Sequence, residues 1–478
     1  MMKFILAAAL CALSFNAFSS PIRHVLLISV DGLHALDLRR FVEGHPHSAL
    51  AGLAKNGIEY TDANTPTPAD SFPGLVALVT GGTPEATGIY FDVSYARSLS
   101  PPGSRCGRQG AAVVFDESMD DEKGGLDPSK LPLDPKGCKP LYPHDYLRVN
   151  TAFEVVRQAG GYTAWIDKHP VYEIVEGPSG KGVDDLYTPE IGRNAEGGTH
   201  GITSKTSLTE RYDEMKVDAL VREMDGRTHD GGRAAPVPEL FGMNIQEINV
   251  GQKIYGYADG DGKPSNGLEQ VMLNLDRLIG RIAFELKRKK LYDSTLVIIT
   301  AKHGNGPIDP VKLRHVDERS IIQAIGKTGA SAHVTADRSA LIWLEDRSRT
   351  AIVASALQKQ ANQLGIDRLL YGDSLSLLYP SDSRSPDIVV IPEDGVIYSK
   401  AGDKGKAEHG GFDSDDTHVA LLLSNPSITR EIVRAPASTA SVAPTLLAAL
   451  GLSPEKLMAV RIEGTALLPG WDRGAHSW

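Results

Sequence analysis

The pattern of apolar and polar positions alternates between short continuous apolar runs and longer stretches with helical spacing. His24 to Val30 (HVLLISV) is a continuous run of strand length, closed by Asp31 and Gly32. Such runs mark strands covered on both faces, as in a parallel sheet. The pattern predicts a helix over 46–55 and a strand over 58–60. A loop at Pro66–Pro73 then enters an apolar helix that stops at Gly81-Gly82, with Ser71 as a favoured N-cap. Alternation resumes with a helix at 152–158, a strand at 162–166, a helix near 211–224 and a strand near 240–245. Leu268, Val271, Met272, Leu275, Leu278, Ile279, Ile282 and Leu286 share one helical face. A strand at 295–300 delivers Lys302-His303-Gly304. Further strands are expected at 340–344, 387–391 and 418–423, with helices near 352–363 and 442–450. Strands alternating with helices throughout predict an α/β fold: a mostly parallel central sheet with helices on both faces. Stretches at about 98–143 and 177–207 are rich in Gly, Pro and charge and read as loop-rich insertions in a single domain.

The N-terminus changes the picture. Lys3, the apolar run Phe4–Leu13 and the small-residue segment Ala17–Ser20 read as a signal peptide over residues 1–20. The run is shorter than the about 20 residues that span a bilayer, so the mature chain is expected in the periplasm or secreted. Cys11 falls in the leader. Cys106 and Cys138 remain, and two cysteines in an exported chain predict one disulfide across the first insertion. The 478 residues are 41% hydrophobic and 23% charged, ordinary values for a folded protein with a large core. The formal charge of −10 argues against a nucleic-acid polymer or an anionic membrane as the main partner. A small anionic ester remains compatible with a local pocket.

Ligands of open α/β sheets bind beyond the carboxyl ends of the strands. Asp31, Ser71 and His303 all fall at such places. Singly, each has a plain structural role: turn, cap or buried polar residue. Together with Thr80-Gly81-Gly82, His409-Gly410-Gly411-Phe412-Asp413 and the closing segment Thr439–Leu447, they resemble the alkaline phosphatase superfamily. The nearest branch is the type I phosphodiesterase/nucleotide pyrophosphatase family. That resemblance implies an alkaline-phosphatase-like fold and hydrolysis of phosphoric esters at two zinc ions. Paired cations lower the pKa of the attacking hydroxyl and clamp the developing charge, and the helix start adds amide donors. By position Ser71 resembles the nucleophile, Asp31, His303 and His409 resemble metal ligands, and Asp92 falls where the family places a phosphate-contacting Asn. An Asp there would repel a phosphate unless protonated or holding a cation.

The departures are large. Lys302 stands where the family has the Asp of an Asp-His pair. Where the family has Asp-x-x-x-His, the chain reads Gln246-Glu247-Ile248-Asn249-Val250-Gly251-Gln252-Lys253, with Glu247 or Asn249 as substitutes and no His. The expectation is therefore a hydrolase with one divalent metal, zinc by resemblance, with two zinc ions, calcium or no metal as alternatives. Asp31, His303, His409 and Glu247 would hold the metal, and Lys302 would supply the second positive charge to an oxyanion. Lys168, in Asp167-Lys168-His169-Pro170 after a strand, is a second candidate oxyanion contact. A sulfatase-like hydrolase and a catalytically inactive binding protein on the same scaffold are the alternatives. Asp413–His418, dense in carboxylates, reads either as a cation site or as a solvated turn, Asp259–Gly262 reads as a turn, and Ser179-Gly180-Lys181 lacks the spacing of a P-loop.

Overall fold

The structure is a computed structural model that describes residues 22–121, 123–195, 198, 200–379 and 382–471; the expected signal peptide lies outside them. The main sheet contains eight strands. They are β1 (His24–Val30), β2 (Gly57–Tyr60), β3 (Thr163–Ile166), β4 (Asp185–Tyr187), β5 (Leu240–Ile245), β6 (Thr295–Thr300), β7 (Leu421–Ser424) and β8 (Glu431–Val433). Their spatial order is β8-β2-β7-β6-β1-β5-β3-β4. The run from β6 to β4 is parallel throughout, whereas β7 is antiparallel to both β6 and β2. The fold is α/β with a mostly parallel sheet, as the alternating pattern predicts.

Alternation along β1 divides the core. Val25 and Leu27 pack into one hydrophobic layer, and Leu26, Ile28 and Val30 into the other. Four helices matter to the site: α1 (Ser71–Thr80), α2 (Thr206–Met224), α3 (Glu247–Tyr255) and α4 (Asn266–Arg288). The second layer is closed by α2 and α4, and α4 buries the eight residues whose spacing predicts its face. The first layer is closed by α1, all of whose residues are buried, and by the helix Val442–Ala449.

Two features depart from expectation. The segments at 340–344 and 387–391 do not join the main sheet. With Ala332–Ala336 and Ile366–Tyr371 they form a separate four-stranded antiparallel sheet. One face of this sheet carries its own core with Ile321, Ile325, Val353 and Leu357, and the other packs on Tyr90 and Phe91. The second insertion contributes a strand, β4, to the edge of the main sheet. The first insertion is closed by a Cys106–Cys138 disulfide, as expected. Among the described residues no helix is long and apolar enough to cross a membrane.

Candidate active site

Parallel strands end together, so β1, β3, β5 and β6 bring Asp31, Asp167-Lys168, Gln246 and Lys302-His303 to one edge of the sheet. Ser71 reaches them from the side, as the first residue of α1. The helix comes unusually close: a Cβ on Gly74 would lie 1.9 Å from the carbonyl oxygen of Lys302. Only glycine permits that approach. It sets Ser71 Oγ 3.2 Å from His303 Nε2.

The histidine's tautomer follows from its partners. Nδ1 lies 3.2 Å from the Gly304 carbonyl oxygen, which can only accept, so Nδ1 carries the proton. In the neutral ring Nε2 is then bare and accepts from the Ser71 hydroxyl. Burial first, then the neighbouring His409 ring, pushes the pKa of His303 well below the ordinary histidine value. The two imidazoles stack with centroids 3.9 Å apart.

Asp31 is fully buried, and both its oxygens are occupied. Oδ1 accepts from Asn244 Nδ2 at 2.6 Å and lies 3.3 Å from Lys302 Nζ. Oδ2 accepts from Gln246 Nε2 at 2.5 Å and Lys168 Nζ at 3.0 Å. Burial alone would raise the pKa of this carboxyl. Lys168 and Lys302, helped by His303 and the Gln246 amide, hold it well below the usual carboxylate range. Lys302 also lies 3.7 Å from Asp167 and donates to the Tyr172 hydroxyl at 3.0 Å. The result is a buried array in which lysine and aspartate alternate, Lys168, Asp31, Lys302 and Asp167, with burial pulling Lys302 below the ordinary lysine value and pushing Asp167 above the ordinary carboxyl one.

This array bears on the metal ligands expected from the resemblance. A divalent cation on Asp31 would have to share its two oxygens with two ammonium groups and two amide donors. Glu247, the expected fourth ligand, turns to α4, where its carboxylate accepts from Asn274 at 2.9 Å; burial pushes its pKa up to about 8. The residue that meets Asp31 is Gln246, one position earlier. Among the described residues no group of three or more His, Cys, Asp or Glu side chains is disposed to hold a metal ion. The residues present do not fit a metal at Asp31.

Two more expectations change. Asp70, not Ser71, caps α1, with Oδ2 accepting from Phe72 N–H at 3.1 Å. A carboxylate of the chain itself thus uses the helix start that was expected to receive the substrate anion. Lys302 is fully buried and does not line the cavity above Ser71; Lys168 does. That cavity, about 350 Å³, also carries Asp92, Gln246, Lys253 and His409. Phe72 forms an aromatic wall, its ring 4.6 Å from both Phe115 and Tyr172.

Around His409 the polar groups are less completely matched. His409 Nε2 is 4.0 Å from Asp70 Oδ1, which has no hydrogen-bond partner. Burial and then the proximity of Asp70 push Asp92 well above the ordinary carboxyl value, toward its protonated form, where it lines the cavity. The shift leans toward protonation, one of the two ways, with a bound cation as the other, in which an Asp in this place could meet a phosphate. Lys253 is paired with Glu408 at 2.5 Å.

The mixed sheet, with a helix entering at its strand ends, is that of an alkaline-phosphatase-like fold. Solved structures bear this out at the level of fold. The mouse ectonucleotide pyrophosphatase/phosphodiesterase 5 superposes with a TM-score of 0.60 at 16% identity, covering 90% of this chain and 96% of that one. The human protein of the same name gives 0.58 at 15%, over 90% and 95%. The wild-type alkaline phosphatase PafA gives 0.59 at 15%, over 90% and 96%. No curated protein sequence matches the chain. The profile of the type I phosphodiesterase/nucleotide pyrophosphatase family matches residues 25–414, and the chain belongs to that family.

Proposed function

We propose that the chain is an exported hydrolase of phosphoric esters, with Ser71 as nucleophile and His303 as its base. The observation that carries this reading is the 3.2 Å contact from Ser71 Oγ to a bare His303 Nε2, held in that tautomer by the Gly304 carbonyl. A positioned base of this kind makes a hydroxyl a usable nucleophile. Ser71 Oγ attacks phosphorus while its proton passes to His303 Nε2. The P–O bond to the leaving group breaks, and the departing alkoxide takes the proton from the imidazolium. Water, deprotonated by His303, then attacks the phosphoserine; the Oγ–P bond breaks and Ser71 recovers a proton.

The charge at the site favours a singly charged ester. The cavity wall carries Lys168, already shared with Asp31, and Lys253, already paired with Glu408. A phosphodiester brings one negative charge to this wall, and a phosphomonoester brings two. Family membership points the same way, and the mouse relative has been captured as an inactive variant in complex with AMP. The leader-like residues 1–20 support export.

The test is turnover of an aryl phosphodiester, an aryl phosphomonoester and an aryl sulfate by the mature chain. The expected order is diester above monoester. Ser71→Ala should lower turnover by at least about 10⁴-fold, the scale seen when a catalytic triad loses a member. If wild type turns over none of the three, with or without added divalent metals, the hydrolase reading fails. One observation favours a second reading, a binding protein: Asp31 and the start of α1 are both satisfied from within the chain. In that case Ser71→Ala would retain full ligand affinity in a wild type that has no turnover.

A further inference from the structure

Resting on the hydrolase reading, we infer that this site works without a divalent metal: Lys168 contacts the substrate oxyanion, and Lys302 is the positioning residue that holds Asp31 and the sheet edge in place. The geometry gives the two ammonium groups different stations. Lys168 Nζ sits on Asp31 Oδ2 and Gln246 Oε1, at 3.0 and 3.3 Å, in the wall of the cavity that Ser71 enters. Its third N–H remains for an oxygen of the ester. Lys302 Nζ lies deeper, enclosed by Asp31, Asp167 and Tyr172, and cannot meet a ligand in the cavity.

A metal cannot simply be added to this arrangement. Each buried ammonium neutralises carboxylate that a cation would need, and removing either partner of such a pair leaves an uncompensated buried charge. Three residues make up this donor set: Lys302 beside His303, Lys168 after β3, and an amide, Gln246, at the end of β5. Amide and ammonium donors directed at one carboxylate form a set that selects against a metal. The electrostatic contribution expected from cations falls to an ammonium fixed by a buried carboxylate and an amide. Preorganised charge is most effective in such surroundings.

The experiment uses the full mature chain and two readouts. The first is metal content after purification without chelator and after incubation with zinc. The second is covalent labelling of Ser71 by an alkyl fluorophosphonate, followed by mass spectrometry in chelator and in zinc. In that reaction the Oγ–P bond forms, the P–F bond breaks, fluoride leaves and the serine proton passes to His303. The expected result is no stoichiometric metal, an equal labelling rate in chelator and zinc, and a drop of about 10²-fold in Lys168→Met, the scale for loss of one oxyanion donor. Lys302→Asp should take up zinc where wild type does not, a change that a merely structural lysine would not produce.

Labelling that requires zinc overturns the inference and leaves the hydrolase reading standing. Unchanged labelling of Lys168→Met in chelator overturns the role given to that lysine. No labelling of wild type under any condition overturns both readings together. Should Lys302→Asp fail to fold, metal content and labelling of wild type and Lys168→Met still decide the matter.

Discussion

The cavity above Ser71 has two sides, built by different parts of the chain. One side is formed by the carboxyl ends of the parallel strands, where Lys168 and Gln246 line the cavity and Asp31, Asp167 and Lys302 lie buried behind them. Each side-chain nitrogen and oxygen of these residues has at least one partner within the site. The other side, with Asp92 and His409, is held by loops that rest on the small antiparallel sheet. Arg338 N–H donates to the His409 carbonyl at 2.9 Å, and Phe91 packs in the core on that sheet. On this side Asp70 Oδ1 has no partner, and Asp70 and Asp92 are both raised, chiefly by burial. The first side is a closed charge network, which resists change and fixes geometry. The second has unused polar capacity facing a cavity, where a leaving group or a different ester can be accommodated. Rigid strand ends position the reacting atoms, and the loops opposite them can vary without disturbing the nucleophile.

The largest effect that would test this contrast is loss of the closed side's central carboxylate. Asp31→Ala leaves two buried ammonium groups without their shared partner. It should cost about 3–5 kcal/mol of stability, the usual penalty for breaking a buried ion pair from one end. Urea unfolding of the variant against wild type measures it. A loss under about 1 kcal/mol, the scale of an exposed pair, would mean that the network is hydrated and not closed.

Next in size is the packing that brings Ser71 to His303. Gly74→Ala places a methyl group against the Lys302 carbonyl. Overpacking of this kind costs about 1–3 kcal/mol, and here it also moves the nucleophile. The expected outcome is a lower midpoint in thermal unfolding together with a fall in turnover at unchanged substrate affinity. Equal activity would show that α1 can retreat without loss of the serine–histidine contact.

Part of this was legible in the sequence. Asp31, Ser71 and His303 follow strands or enter a helix, so position alone brought them to one edge. The spacing from Leu268 to Leu286 gave the face of α4 because a long amphipathic helix repeats its signal. Strands buried on both faces carry no such address. Ala340–Leu344 is fully buried, like β1, yet belongs to another sheet. Gln246 was missed in favour of Glu247 because a one-residue shift at a strand-to-helix junction sends the side chain to a different face, and residue type cannot reveal that rotation. Tyr172 sits in a short 3-10 helix, Pro170–Glu176, with no periodic signal. The cap at Asp70 displaced Ser71 by one position for a related reason, since both residues are good caps.

The pH profile comes next. With its pKa held well below the ordinary value, His303 keeps its neutral, proton-accepting form as the medium becomes mildly acidic. On the hydrolase reading, kcat/KM should stay level from pH 7.5 down through 6.5. It should fall about tenfold per unit only at lower pH, once the imidazole is protonated. An acid limb centred at 6.5 or above would place His303 in a solvated setting and break the contrast between the two sides.

The smallest effect is expected on the open side, from the milder exchange Asp92→Asn. Because burial pushes the Asp92 carboxyl toward its neutral form, the amide matches that form in size and charge. The sign follows from proton binding. Above the unfolded carboxyl value near 3.9, the unfolded chain releases a proton that the native Asp92 retains, so wild-type stability falls as pH rises until the native group ionises. The variant lacks this slope. Near pH 4 the two proteins should unfold alike. Toward neutrality the variant should gain relative to wild type, by at most about 1.4 kcal/mol per pH unit. The gain stays below that limit because Asp92 opens on the cavity. Urea unfolding at pH 4.5, 6 and 7.5 measures the divergence. A variant that instead loses several kcal/mol at every pH would show that the Asp92 carboxylate is ionised and paired, and the open side would then be as closed as the one that holds Asp31.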